Sequence, residues 1–221
     1  MFGKEIGRKF YEDGSVRHYP GNTVVADVTP DNSAYDVMKK LHDMLIDEGF
    51  DSSLILLPVN SYHMTVIRGL NDQVRTDEFW PEKLPKSAKM EEVDDYITAA
   101  VSSVEMPRNL RMRFDKIRLS ATAMLVTLLP SDDQENKRLR DYRDKVATAI
   151  GLFLPKHKEY RFHITLAYTR VISEGEDAQR MEEMIGRMND ILASQPEFII
   201  PSPYMAYYDD MLAFHPNRIP R

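Results

Sequence analysis

The chain has no cysteine. That removes disulfides, thiolate nucleophiles and thiolate metal sites, and leaves His, carboxylate, Ser/Thr and Tyr to do any chemistry. It has no apolar run of the roughly 18 residues that a membrane span needs, and Met1 to Phe10 alternates charge with Gly in place of the apolar stretch of a signal peptide. A cytoplasmic protein without membrane contact is expected. An excess of positive charge is missing too: 29 Lys and Arg against 35 Asp and Glu give a formal net charge of −6. Coating long nucleic acid requires many Lys and Arg to neutralise phosphates, so that role is disfavoured, while a small phosphate ligand or a strand end remains open. Nothing in the 221 residues is of low complexity, and 43% apolar content suits a globular core.

What the chain does contain is a repeat. Tyr62-His63-Met64-Thr65-Val66 and Phe162-His163-Ile164-Thr165-Leu166 both read aromatic, His, apolar, Thr, apolar. Pro30 precedes His63 by 33 residues (63 − 30), and Pro130 precedes His163 by the same 33 (163 − 130). Short apolar runs, Thr23 to Val28 and Ala123 to Leu128, lie ahead of the two prolines and read as strands. Behind them come Asp31, Asn32 and Ser33, and Ser131, Asp132 and Asp133, whose short oxygen-bearing side chains cap free helix amides. The spacing is that of a duplication.

The first unit therefore reads as strand 23–29, helix 33–48, strand 53–58 and a His63 strand over 62–68; Gly49 suits the helix end. The second reads as strands 111–118 and 121–129, helix 133–151 and a His163 strand over 160–168. Between them, 70–110 breaks the pattern as an insertion or crossover with a helix from Glu91 to Val104, and Trp80 there reads as an anchor. A helix over 176–194 and a closing hairpin from Tyr204 to Phe214, turning at Asp209-Asp210, complete the chain, and residues 1–21 form an arm or loop. The expected architecture is α+β and bilobal, with one lobe over about 22–70 and the other over about 111–221 of a single domain. Two antiparallel sheets would line a central cleft with helices outside, about a pseudo-two-fold axis.

Side chains two apart on a strand share a face. His63 with Thr65, and His163 with Thr165, each present an imidazole beside a hydroxyl, and units packed about a two-fold would bring both pairs to one cleft. A box of two imidazoles and two hydroxyls suits a tetrahedral phosphate. Imidazole near pKa 6.5 serves as base or acid, and Thr hydroxyls can hold non-bridging oxygens; no metal or other cofactor is required. Either histidine could be the base, since the pair is nearly symmetric. A single His-apolar-Thr segment has an ordinary explanation, a half-buried His beside a Thr chosen for strand propensity; duplication at a matched offset argues for function. Asp209, Asp210 and His215 could be read as a metal site, but they suit a hairpin turn better, and no metal is assigned. Arg161 lies two residues before His163, on the same face by alternation, where it could meet a phosphate. Arg68 and Tyr168 follow the histidines by five and could reach the cleft only through a bulge or a strand end.

His63-Met64-Thr65 and His163-Ile164-Thr165 resemble the duplicated His-x-Thr/Ser signature of the two-histidine (2H) phosphoesterases, over roughly residues 22–170 and the tail hairpin. The resemblance implies a bilobal fold of antiparallel sheets with outer helices. It also implies the activity of a cyclic phosphodiesterase or an RNA 2′–5′ ligase-like protein, with His63 and His163 as the catalytic pair and Thr65 and Thr165 as the phosphate-holding pair. Relatives often carry a basic residue where this chain has Tyr168. The expectation is a metal-independent, monomeric phosphodiesterase acting on a 2′,3′-cyclic phosphate or a related nucleotide or RNA-end phosphodiester. The alternative is a non-catalytic protein that binds a nucleotide or RNA end in the same cleft.

Overall fold

The computed structural model describes residues 1–218. Their strands are β1 (Gly21–Asp27), β2 (Leu54–Leu56), β3 (His63–Asn71), β4 (Leu110–Leu119), β5 (Ala123–Pro130), β6 (His163–Thr169), β7 (Phe198–Ile200) and β8 (Tyr204–Tyr208). The helices are α1 (Ser33–Asp47), α2 (Met90–Ser102), α3 (Asp133–Ile150) and α4 (Gly175–Ala193). Asn32 caps α1 by accepting from the Ala34 amide at 2.9 Å, and Asp132 caps α3 by accepting from Glu135 at 2.7 Å. Gly49 and Gly151 follow the two helices at φ 76° and 73°, a conformation that costs glycine little. Among the described residues no helix is long and apolar enough to cross a membrane.

The architecture is α+β. The two expected sheets are joined as halves of one antiparallel sheet in the order β7-β4-β5-β6-β3-β1-β8, with β2 also paired to β6. The seam between the halves is a single pairing, Met64 with Ile164. The duplication is visible in the register. Asp27 faces His63 and Val25 faces Thr65 across β1–β3, while Thr127 faces His163 and Leu125 faces Thr165 across β5–β6; each position has moved by one hundred. Both ladders carry a bulge at the same place, one between Val24 and Val25, the other between Met124 and Leu125.

The stretch after α4 supplies an edge strand to each end of the sheet, β7 on β4 and β8 on β1. Seven strands lying flat would set those ends about 29 Å apart, yet only Pro201, Ser202 and Pro203 join them, a span of at most about 15 Å. The sheet must therefore curl. The expected hairpin over 204–214 is β8 followed by a bend, with one return bridge from Tyr207 to His215.

One face of the sheet carries Met64, Val66, Ile164 and Leu166, all fully buried, and the amphipathic helices cover it. Asn22 on that face reaches Asp94 of α2 at 2.9 Å. On the other face the arm runs from a bridge at Phe2–Val171 to Tyr19, whose amide donates to the Asp209 carbonyl at 2.7 Å. Phe10, Tyr19, Tyr168, Tyr208 and Met211 are all buried, closing one end of that face. In the 70–110 stretch Trp80 is buried, its indole N–H donating to Leu84 O at 2.8 Å, which makes it an anchor.

Candidate functional site

Each histidine opens its strand and is held in the same way. The Tyr62 carbonyl accepts from the Val28 amide at 2.9 Å, and the Phe162 carbonyl from Leu128 at 2.8 Å, which fixes the backbone just before each ring. His63 Nδ1 lies 2.8 Å from Ser61 O, and His163 Nδ1 lies 2.8 Å from Arg161 O. A carbonyl only accepts, so Nδ1 carries the hydrogen in both rings and Nε2 is the atom left to take or give a proton.

Continuing the Met64–Ile164 register by one residue in each direction sets His63 beside Thr165 and Thr65 beside His163. The two His-Thr pairs thus share one face at the seam. The rings are close enough for the charge of His163 to lower the pKa of His63. Tyr160 donates its hydroxyl to Thr65 O at 2.9 Å, tying the loop before His163 to the opposite strand.

The surroundings of the two rings differ. Phe214 packs on His63 with centroids 4.2 Å apart, and burial pulls that imidazole down to about 4, against the opposing bond to Ser61. Burial also lowers His163, opposed by the Arg161 carbonyl; its aromatic neighbour, Tyr160, is 6.0 Å away. Asp27, across the ladder from His63, accepts from the Tyr204 hydroxyl at 2.9 Å, and burial raises its pKa. Thr127, across from His163, donates to Asp115 at 2.9 Å.

The bulges decide where Arg68 and Tyr168 point. Arg68 pairs with Thr23, and Tyr168 with Ala123; because each bulge inserts one residue into its strand, alternation slips and both side chains return to the histidine face. There they part. Arg68 is exposed, its guanidinium 5.2 Å over the Phe79 ring. Tyr168 is buried, donating to Met211 Sδ at 3.3 Å and accepting from Lys9 Nζ at 3.3 Å, so its phenol is committed to the packing under the arm. Arg161 is exposed at the mouth of His163.

Several neighbours are not marked by the His-Thr pattern itself. Asp27 and Thr127 stand three residues before the paired prolines, a signal present in the repeat. Phe214 and Lys9 carry none, because they arrive from outside it. Among the described residues no group of three or more His, Asp and Glu is placed to hold a metal ion.

A family model described as 2H-phosphodiest, Domain of unknown function (DUF1868), matches residues 9–123, just over half of the chain. A crystal structure of the conserved protein of unknown function ATU0111 from Agrobacterium tumefaciens is 26% identical, with a TM-score of 0.85, covering 97% of this chain and 91% of that one. TT0787 of Thermus thermophilus, 10% identical with a TM-score of 0.44, covers 85% of each chain. Apo LigT of E. coli, 10% identical with a TM-score of 0.46, covers 86% of this chain and 88% of its own. No curated protein sequence matches the chain.

Proposed function

This chain belongs to the 2H-phosphodiest (DUF1868) family, and we propose that it is a metal-independent phosphodiesterase that opens a 2′,3′-cyclic phosphate or a related nucleotide or RNA-end phosphodiester. The observation that carries the reading is the identical tethering of the two rings, Nδ1–H to a backbone carbonyl at 2.8 Å in each. Both Nε2 atoms are thereby left for one phosphorus between them, with Thr65 and Thr165 to hold its non-bridging oxygens.

In hydrolysis one Nε2 takes a proton from water as the water oxygen bonds to phosphorus, and the other Nε2–H gives its proton to the ribose oxygen as the P–O bond breaks. The unequal environments support one order of roles. His63, held near pKa 4 under Phe214, is neutral at pH 7 and acts as the base; His163, without that cover, acts as the acid. Because both pKa values fall below 6.5, kcat/KM should peak on the acidic side of 6.5. The test is turnover of 2′,3′-cyclic nucleotides with chelator present, product being a nucleoside monophosphate. No turnover of any cyclic phosphate or 2′–5′ or 3′–5′ dinucleotide, with binding intact, would leave a binding protein in place of an enzyme.

A further inference from the structure

Beside His163 the histidine face stays open. Arg113 pairs with Leu129 and Arg118 with Leu125 across β4–β5, and Leu125 in turn pairs with Thr165, so alternation puts both arginines on the face that carries His163 and Thr165. With Arg161 and Thr127 they line a hollow of ≈ 720 Å³. Arg113, Arg118 and Arg161 are exposed, and none has an ion-pair partner among the described residues. Of the carboxylates there, Asp132 is taken by Arg111 at 2.8 Å, Asp133 lies in the first turn of α3, and Asp115 accepts from Thr127 while keeping its charge; against these the hollow sets Arg140 beside the three arginines. Exposed apolar side chains, Leu129 at 36% and Ile199 at 56%, lie on the same face, since Ile199 pairs with Arg111 and Arg111 is two residues from Arg113. In a chain of net charge −6, three unpaired guanidinium groups on one face beside the site form a local anion-binding surface. The corresponding surface beyond His63 is closed by Phe214 and by Tyr204 bonded to Asp27.

Resting on the reading of the site as a phosphodiesterase, we propose that the hollow lined by Arg113, Arg118 and Arg161 is a subsite for a second phosphate of the substrate. The substrate is then a phosphodiester with a further phosphate upstream of the reacting one, supplied either by an RNA strand or by a small nucleotide bearing its own 5′-phosphate. Guanidinium forks match phosphate oxygens bidentately, and the exposed leucine and isoleucine offer contact to a sugar or base.

The experiment compares adenosine 2′,3′-cyclic phosphate, the same compound with a 5′-phosphate, and an RNA trinucleotide ending in a cyclic phosphate, in the wild type and in Arg113→Ala/Arg118→Ala. The wild type should show a KM about 10- to 100-fold lower for at least one phosphate-bearing compound than for the bare one. Preference for the 5′-phosphate compound alone identifies the small nucleotide, and a further gain for the trinucleotide identifies the strand. The double variant should lose most of that preference. Equal KM values for all three in the wild type, or a preference that survives in the variant, overturns the subsite. Binding of a fluorescein-labelled trinucleotide 3′-phosphate separates this from the chemistry. If nothing is cleaved, affinity should still fall in the variant, and the slope of log Kd against log salt should shrink by about 0.7 per arginine removed. An unchanged slope would count against the subsite whatever the fate of the catalytic reading.

Discussion

At the bulge of β6 the Leu166 carbonyl is met by a backbone N–H, that of Leu57 at 3.1 Å; at the matching bulge of β3 the Val66 carbonyl is met by a side chain, the guanidinium of Arg143. The difference follows from β2. That strand leaves the first half to pair with the end of β6, filling the gap where β3 and β6 part after the seam. The matching residues before His163, Leu154, Pro155 and Lys156, make no strand, and buried Arg143 takes its place, reaching Val66 O and His157 O and lying 3.9 Å from the Tyr160 ring centroid. The repeat thus keeps the His-Thr pairs and their tethers, and varies what supports them.

The first way to break the comparison is at the rings. His63→Ala and His163→Ala should each lower kcat by about 10²- to 10⁴-fold, the range for losing a general acid or base, and the double variant should be little worse than either single, because the pair acts as a unit. Near-normal turnover in either single variant would end the two-histidine reading. The hydroxyls come next: Thr65→Val and Thr165→Val should each cost about 10²-fold in kcat, as for one donor to a developing oxyanion. A symmetric box predicts similar losses, and a large disparity would show which half bears the phosphoryl charge.

The support differs more than the site does, and stability reads it. Arg143→Leu should lower the unfolding free energy by about 1–3 kcal/mol, the cost of leaving the buried Val66 carbonyl without its donor, as measured by urea denaturation. Short of proline at Leu57, no substitution near Leu166 removes the equivalent bond, since its donor is main chain. An Arg143→Leu variant as stable as the parent would mean that the guanidinium is replaceable there by water.

How much of this the sequence revealed depends on what each feature rests on. The His-Thr pairs, the capped helices and the hundred-residue offset rest on local patterns, a period of two along strands and short polar side chains at helix starts, and these survive into the structure at Thr65, Thr165, Asn32 and Asp132. The position of Arg68 turned on a bulge, which no local pattern announces. β7 has three residues, Phe198–Ile200, too few to show alternation. The joining of two sheets into one, the crossing of β2 to β6 and the packing of Lys9 on Tyr168 are pairings between distant segments, which no local pattern encodes.

The smallest expected effect tests how much of the lowering at His63 comes from the Phe214 ring. Removing the Phe214 ring lets water reach His63 and leaves His163 as it was. Phe214→Ala should therefore raise the pKa of His63 from about 4 toward 6.5 by about one unit, moving the acid limb of kcat/KM upward while the basic limb, assigned to His163, stays in place. The same shift has a signature in stability. The unfolded ring titrates near 6.5 and the folded one near 4, so between those values the unfolded state binds more protons, and stability present above 6.5 is lost as the pH falls toward 4. In Phe214→Ala that decline should be shallower. If NMR titration of His63 were unmoved by the substitution, the depressed pKa would have to come from the seam itself, and the assignment of base and acid would lose its physical basis.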